Sequence, residues 1–108
     1  MRNLTATGLA AGLLALAAPL AALAQGTDAA MRNAGYIAGN CATCHGTAGM
    51  NPNAMPALAG LAKPYFVQQM QAFRGGTRSA TIMHQLAKGY TDEQIDALGE
   101  YFSRQKAK

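Results

Sequence analysis

The sequence predicts a small all-α domain of three to four helices, and three observations support this fold class. The chain has 108 residues, which is enough for a single domain. Three stretches place apolar side chains at helical spacing, and no stretch alternates apolar and polar residues as a half-buried strand would. Aromatic residues make up only 6% of the chain and Trp is absent, so few bulky side chains are available for a core. This composition excludes a large enzyme, a multidomain protein and a charged disordered chain.

The first 24 residues have the features of an export signal. No charge occurs between Arg2 and Asp28, and the Ala-Leu-Ala tripeptide at 22–24 fits the small-x-small rule for cleavage. We therefore predict a cleaved signal peptide over 1–24, a mature domain over 25–108 and a periplasmic location. The alternative is an uncleaved anchor, since a membrane span needs about 20 apolar residues. The alanine-rich composition favours cleavage, and we expect no stable membrane insertion afterwards.

The predicted mature domain is short and only weakly basic. It has 84 residues, and because Arg2 leaves with the signal peptide, 8 basic and 5 acidic residues remain, a net charge of +3. This charge is modest for a nucleic-acid-binding surface, and export would separate the protein from nucleic acid. A domain of this size buries a low fraction of its surface, so a staple or a cofactor is expected.

The first predicted helix runs from Asp28 to Asn40, with the Asp28 side chain as its N-cap. Gly35 and Gly39 weaken it as an isolated helix but allow another helix to approach closely. Its predicted apolar side consists of Met31, Ala34, Tyr36 and Ile37.

Two further helices are predicted in the second half of the chain. One begins near Pro64, which suits a first helical position, and ends at a Gly-Gly pair. The glutamines of this helix are expected to face water. The last helix follows Thr91, which forms a capping box with Gln94. The intervening stretch 46–62 is predicted to be a loop, because it contains turn-forming Asn-Pro and Met-Pro pairs. The apolar stripe of the last helix is Ile95, Leu98, Gly99 and Phe102.

The strongest chemical signal is the pentapeptide Cys41-Ala42-Thr43-Cys44-His45. Cys-x-x-Cys-His is the attachment sequence of a covalent c-type haem. Two thiols on one helical turn can add to the two vinyl groups of a porphyrin, and the next residue then presents its imidazole to the iron. We therefore predict one haem c, bound through Cys41 and Cys44 and ligated by His45. The haem would also supply the bulk that the core lacks.

Three other interpretations of these residues exist. A thioredoxin-like redox pair requires neighbouring strands, and none is predicted. A local disulfide between Cys41 and Cys44 gives His45 no role. A zinc site would recruit Cys41, Cys44, His45 and His84. Adjacent Cys44 and His45 fit one tetrahedral ion poorly, however, and no compact finger spacing leads to His84.

An iron held only by His45 has an open face, and its sixth ligand has several candidates. Met70 belongs to the apolar side of the second helix, and the methionines that closely follow His45 cannot easily reach the opposite face. Met83 and its neighbour His84 lie far enough along the chain to cross the ring. Since adjacent helical residues point about 100° apart, only one of these two faces the iron. The full set of candidates is Met31, Met50, Met55, Met70, Met83 and His84.

The order of these motifs resembles the small class I cytochromes c. The shared features are an attachment motif just after an N-terminal helix, a Pro-x-Leu loop, a methionine before the last helix and an aromatic residue near the end. The pattern Y-x-x-x-Q-M-x-x-F-R-x-G-x-R at 65–78 is similar to short soluble and two-haem bacterial cytochromes. The segments 81–83 (Thr-Ile-Met) and 87–91 (Ala-Lys-Gly-Tyr-Thr) resemble the cytochrome subunits of flavocytochrome c sulfide dehydrogenases.

The resemblance implies a small cytochrome c fold with about three to four helices wrapped around one covalent haem. It implies attachment at Cys41 and Cys44, proximal ligation by His45 and distal ligation by Met83. It also implies that the carbonyl of Pro56 accepts the N–H of the proximal imidazole, a bond that orients the ring.

The function implied is single-electron transfer, because a six-coordinate iron offers no vacant site for oxygen chemistry. The first expectation is the haem subunit of a flavocytochrome c sulfide dehydrogenase, working beside a flavoprotein. The alternatives are a free electron carrier between respiratory complexes or, if the sixth position is open, a haem sensor or peroxidase-like protein. No catalytic residues of its own are expected. Four cations could form a docking ring for acidic partners, and the alternative is that they are ordinary solvated surface: Lys63, Arg74, Arg78 and Lys88.

Overall fold

The computed structural model describes residues 18–50 and 55–106, with side chains from residue 28 onward. These residues form helices and loops, which confirms the all-α prediction. Two short 3-10 turns, Thr47–Gly49 and Ala87–Gly89, lie between the longer elements. The α-helices are α1 (Ala18–His45), α2 (Lys63–Arg74), α3 (Met83–Leu86) and α4 (Asp92–Ser103).

Helix α1 differs most from the sequence-based expectation. It begins at Ala18, so the prediction of Asp28 as its N-cap is wrong, and it extends beyond Asn40 to His45. The attachment motif contains no helix breaker, and the first residue in the left-handed region is Gly46, with φ +81°. The motif therefore occupies the last turn and a half of α1. The predicted apolar side is wrong at Tyr36, which is 89% exposed, while Ala34 and Ala38 are buried against the core.

The predicted signal peptide falls mostly outside the described residues, which begin at residue 18. Residues 18–24 form the start of α1, which continues through the predicted cleavage position. Within the described part of the chain, we find no helix with both the length and the apolar character needed to cross a membrane. The boundary between 24 and 25 stays a prediction.

Helix α4 is the centre of the core, because it packs against both α1 and α2. Two glycines permit the close crossings. A Cβ atom on Gly35 of α1 would lie 3.1 Å from the Tyr101 ring, and one on Gly99 would lie 3.3 Å from the Phe66 ring. The largest fully buried side chains all belong to α4: Ile95, Leu98 and Phe102. The expected stripe of the last helix is thus confirmed.

The ends of α2 and α4 follow their local sequence signals. Pro64 lies in the first turn of α2, and Gly75 caps its end. At the start of α4, the Gln94 N–H donates to Thr91 Oγ1 at 3.2 Å, and the Thr91 N–H donates to Gln94 Oε1 at 3.0 Å. The predicted capping box is therefore present. The predicted loop is confirmed over its described residues apart from one 3-10 turn, and 51–54 lie outside them.

Candidate functional site

A cavity of about 310 Å³ lies between the end of α1, the loop that follows it, α2 and α3. Most of its wall is apolar, and large side chains on its rim are partly exposed: Met55 41%, Tyr65 49%, Ile82 49% and Leu86 47%. The cavity is thus an apolar recess that opens to solvent.

Cys41, Cys44 and His45 all line this cavity, because the last turns of α1 face it. Burial raises the pKa of the Cys41 thiol, since the thiolate would be poorly solvated there. Cys44 is exposed. The helical geometry of the motif places both sulfur atoms on the same side of α1, as addition to two vinyl groups of one porphyrin requires.

The imidazole of His45 is oriented by one strong contact. Its Nδ1 lies 2.6 Å from the carbonyl oxygen of Pro56, and the residue is only 9% exposed. When Nδ1 carries the proton and donates it to this carbonyl, the lone pair of Nε2 is available to a metal ion. The structure therefore contains the hydrogen bond that the resemblance implies for Pro56.

The candidate sixth ligands differ in whether they line the cavity and in how deeply they are buried. Met83 is the first residue of α3 and lines the cavity, whereas its neighbour His84 does not. The Nδ1 atom of His84 is buried without a hydrogen-bond partner among the described residues. Met70 also lines the cavity but is only 6% exposed and belongs to the packed core. Met55 also lines the cavity, and it directly precedes Pro56, whose carbonyl oxygen is the hydrogen-bond partner of His45.

The four cations considered as a docking ring are not equivalent. Lys63 Nζ lies 2.8 Å from Asp96 Oδ2, so this cation serves the contact between α2 and α4. Arg74 pairs with Asp92 and also donates to the Tyr90 carbonyl. These two residues are therefore paired within the chain and are not part of a free basic ring.

The other two cations remain unpaired with carboxylates in the described residues. Arg78 lines the cavity, whereas Lys88 is exposed in the 3-10 turn before α4. Only one of the four considered cations thus faces the cavity itself.

Gln69 lines the cavity, although its polarity predicts that it faces water. A usable signal was its spacing of four from Tyr65 and from Phe73, which places the three side chains on one face of α2. All three line the cavity.

The alternative interpretations of the cysteine motif find no support. Within 18–50 and 55–106, no group of three or more His, Cys, Asp or Glu side chains gathers where it could hold a metal ion. The four ligands considered for zinc therefore do not meet. The motif also lies on a helix packed against helices, unlike a thioredoxin-like redox pair.

Comparison with known proteins decides the family. The Cytochrome c family model matches residues 30–106, which include the attachment motif and the described cavity lining. The chain belongs to the cytochrome c family. As a member of it, the matched domain has one covalently bound haem c.

Three relatives illustrate the range of similar proteins. The chain is 40% identical over 63 residues to the cytochrome subunit of sulfide dehydrogenase from Chlorobaculum tepidum, covering 58% of this chain and 57% of that protein. It is 38% identical over 91 residues to a thiosulfate dehydrogenase electron acceptor from Thiomonas intermedia, covering 82% of this chain and 42% of that protein. A solved structure of cytochrome c4 from Acidithiobacillus ferrooxidans is 40% identical with a TM-score of 0.56, covering 58% of this chain and 37% of that chain.

The chain thus spans about half the length, or less, of these relatives. The residues of the cavity fit the haem that the family carries. Two thiols occur on one helix, an oriented imidazole follows them, and an apolar recess adjoins all three. A flat apolar macrocycle suits such a recess, because its burial would cover the partly exposed rim side chains.

Proposed function

We propose that this cytochrome c is a periplasmic monohaem protein that accepts single electrons from the flavoprotein subunit of a sulfide dehydrogenase. The observation that carries this proposal is the 40% identity to a cytochrome subunit of sulfide dehydrogenase. The mature domain is residues 25–108, after cleavage of the signal peptide over 1–24.

The iron ligands in this proposal are His45 and Met83. His45 is supported by its hydrogen bond to Pro56, which fixes the ring and strengthens Nε2 as a donor. Met83 is supported by its place in the cavity wall on α3, an element separate from α1 and its following loop. A methionine ligand favours the reduced iron and raises the potential relative to a second histidine.

Bound haem supplies the one-electron couple between Fe(II) and Fe(III). The side chains of this protein would hold that group: Cys41 and Cys44 would tether the ring, and His45 and Met83 would be the ligands of its iron. Leu58, Leu61 and Phe66 exclude water from the cavity interior. With two protein ligands on the iron, oxygen or peroxide would have no site to occupy, and the group would supply outer-sphere electron transfer.

The surface around the cavity has both apolar and charged side chains that a partner could contact. Ile82 and Leu86 are about half exposed at its rim, and the nearby cation Arg74 is paired with Asp92 within the chain. A subunit that stays bound to its partner buries such apolar surface, whereas a shuttling carrier relies on unpaired charge. Arg78 on the cavity wall and the exposed Lys88 have no carboxylate partner among the described residues, so the rim offers both kinds of contact, and the choice of the subunit role depends on the sequence identity.

Reconstitution with a flavoprotein tests the proposed partner. Oxidation of hydrosulfide to sulfur releases two electrons and one proton, so two molecules of this one-electron carrier are reduced for each sulfide consumed. We expect co-purification with a flavin-containing protein, and sulfide-dependent reduction whose rate changes little with added salt. If the cytochrome purifies alone and its reduction slows steeply with salt, the subunit proposal fails.

The free-carrier alternative has its own support, since a relative of similar identity is named an electron acceptor of thiosulfate dehydrogenase. It predicts the steep salt dependence just described, because transient docking depends on charge. The same titration therefore distinguishes the two roles.

Ligation by Met83 is tested with Met83→Ala and the matched variant His84→Ala. We expect Met83→Ala to abolish the weak red charge-transfer band of sulfur-ligated Fe(III), to lower the potential and to admit cyanide or CO. His84→Ala should retain the band. The assignment of Met83 is wrong if Met83→Ala keeps the band and His84→Ala becomes able to bind cyanide or CO.

Export and cleavage are tested by fractionation and intact mass. The periplasmic protein should have the mass of residues 25–108 plus one haem. A membrane-bound product that retains residues 1–24 would contradict the cleaved form.

A further inference from the structure

The segment that carries Met83, residues 79–91, has little structure of its own to hold it in place. It contains the four-residue helix α3 and the 3-10 turn Ala87–Gly89, and neither has a side-chain cap. A helix of one turn is marginally stable by itself. The structure describes the whole segment, and only Ala87 in it is fully buried. The contacts that keep Met83 on the cavity wall must therefore come from neighbouring elements.

Both ends of the Met83 segment are attached to the end of α2. At its start, the chain reverses directly after α2. Gly76 adopts φ +76°, and the N–H groups of Thr77 and Arg78 both donate to the carbonyl of Ala72, at 3.0 and 3.2 Å. These backbone hydrogen bonds fix the start of the segment. The far end is separated from α2 by the whole length of the segment, so it can be held only by contacts across space.

Arg74, the last residue of α2, makes two such contacts at the far end. Its Nη1 donates to the carbonyl of Tyr90 at 3.3 Å, and its Nη2 pairs with the carboxylate of Asp92. Tyr90 is extended, with φ −117° and ψ 138°, and separates the 3-10 turn from α4, whose first residue is Asp92. One guanidinium thus joins α2 to this junction at two points, which its planar fork of N–H donors allows.

Tyr90 connects these contacts to the cavity. It lines the cavity together with Met83, and both residues pack against the buried core. A movement of the Tyr90 backbone away from α2 would therefore displace the wall on which Met83 lies. We propose that Arg74 is a positioning residue for the iron ligand: by holding Tyr90 and Asp92 against α2, it slows the departure of the Met83 sulfur from the iron. This inference rests on the proposed ligation by Met83.

A second ion pair between α2 and α4 provides a matched control. Lys63 Nζ lies 2.8 Å from Asp96 Oδ2 and 3.7 Å from Glu100 Oε2, so both partners lie outside the Met83 segment. The Lys63 side chain is 34% exposed, against 32% for Arg74. Loss of either cation removes a partly exposed ion pair between the same two helices. Only the loss of Arg74 should affect the Met83 segment.

The first test measures how fast Met83 leaves the iron of the oxidised, haem-containing protein. Cyanide binds only after the sulfur has left, so at high cyanide concentration the binding rate reaches a limit equal to the rate of departure. We expect this limit to rise about two- to fivefold in Arg74→Gln, the range for a partly exposed ion pair. It should stay at the wild-type value in Lys63→Gln. Arg74→Lys, which retains the charge but not the fork, should give an intermediate rate. An unchanged limit in Arg74→Gln, or an equal rise in Lys63→Gln, overturns the proposal.

Amide hydrogen exchange locates the effect within the chain. The N–H groups of Gln85 and Leu86 both donate to the carbonyl of Ile82 at the start of α3, at 2.9 and 3.1 Å. In the oxidised, haem-containing protein we expect these two amides to exchange faster in Arg74→Gln than in wild type. The amide of the buried α4 residue Leu98 should be unchanged. Equal acceleration at Leu98 would mean that the arginine stabilises the whole domain, and the positioning role would be refuted.

Asp92→Asn separates the two contacts of Arg74. It removes the ion pair and leaves the Tyr90 carbonyl as an acceptor, so the limiting rate should rise by less than in Arg74→Gln. The double variant should have the same rate as Arg74→Gln, because Asp92 acts on the segment only through the arginine. Additive effects of the two substitutions would contradict this contact.

Met83→Ala distinguishes a failure of this inference from a failure of the proposed ligation. If Met83→Ala abolishes the limiting rate and Arg74→Gln leaves it unchanged, only the role of Arg74 is refuted. If Met83→Ala binds cyanide with the same limit as wild type, ligation by Met83 is refuted, and the role of Arg74 with it.

Discussion

The two sides of this small domain are built differently. On one side, α4 packs on α1 and α2 through Ile95, Leu98 and Phe102, which are 0–1% exposed. On the other side, α3 and the loop after α1 border the haem cavity, where Ile82 and Leu86 are 49% and 47% exposed. Protein side chains complete the first region, whereas the second has an apolar wall with too few side chains to fill it. A domain of this size can thus reserve much of its apolar surface for a cofactor.

The order of the α4 side should depend on side-chain packing, whereas the order of the cavity side should depend on the haem. Near-complete burial makes each α4 side chain sensitive to truncation. The cavity side gains its burial only when the haem is attached, so its order should depend on the attachment cysteines. Substitutions on the two sides should therefore alter different measurements.

The largest effect is expected from the double variant Cys41→Ser, Cys44→Ser. It should lack covalent haem in a denaturing pyridine assay and lose its cooperative thermal transition by circular dichroism, because the cavity side has no other filling. The single variant Cys41→Ser, which retains one thioether position, is the control. A colourless double variant that still unfolds cooperatively would show that the α4 side folds without the haem.

Phe102→Ala should give the next largest effect. Its ring is 1% exposed and lies 5.5 Å from the Phe66 ring, so truncation should lower the free energy of unfolding by about 3–5 kcal/mol. The haem spectrum should persist. Denaturant titration measures the change, with Tyr36→Ala as a control because that ring is 89% exposed. Equal losses in the two variants would contradict the packing described for α4.

Thr91→Ala should have a smaller effect on the same side. Removing Oγ1 deletes the acceptor of the Gln94 N–H and should cost about 1 kcal/mol of stability. Thr91→Ser retains the hydroxyl and should stay close to wild type in the same titration. If serine and alanine are equally destabilising, the cap does not contribute.

Lys63→Met should have the smallest effect, of about 0–1 kcal/mol for a surface ion pair. The hydrogen bond to Asp96 raises the pKa of Lys63, burial opposes the rise, and Glu100 adds to it. Because the folded pKa is raised, this contribution is fully present below the ordinary lysine pKa of 10.5 and is lost as the pH rises through the raised value. The stability difference between wild type and Lys63→Met should therefore shrink above that pH. A difference that grows with pH would contradict the ion pair.

The sequence predicted features that depend on neighbouring residues. Three such features are confirmed: the capping box at Thr91, the glycine end of α2 and the apolar stripe of α4. Each of them depends only on residues in or next to a single helix. The close crossing at Gly35 is confirmed, whereas a Cβ on Gly39 would meet nothing within 4 Å among the described atoms. Spacing alone cannot show which glycine lies at the crossing point.

Some expectations failed because they depend on where helices meet. The sequence predicts Tyr36 on the buried side of α1, but Ala34 and Ala38 are buried and Tyr36 is exposed. The one-turn helix α3 is too short to produce a periodic pattern. Gln69 faces the cavity although its polarity favours water.

By itself, the sequence determined the helical class, the haem attachment motif and the helix caps, since these are local arrangements of covalently linked neighbours. Only the tertiary structure decided how the cations are used. Lys63 pairs with Asp96 and Arg74 pairs with Asp92, both on α4. Arg78 follows the turn at Gly76, where φ is +76°, and lines the cavity. Electrostatic partners are chosen by distance in space, and that distance exists only after the helices have packed.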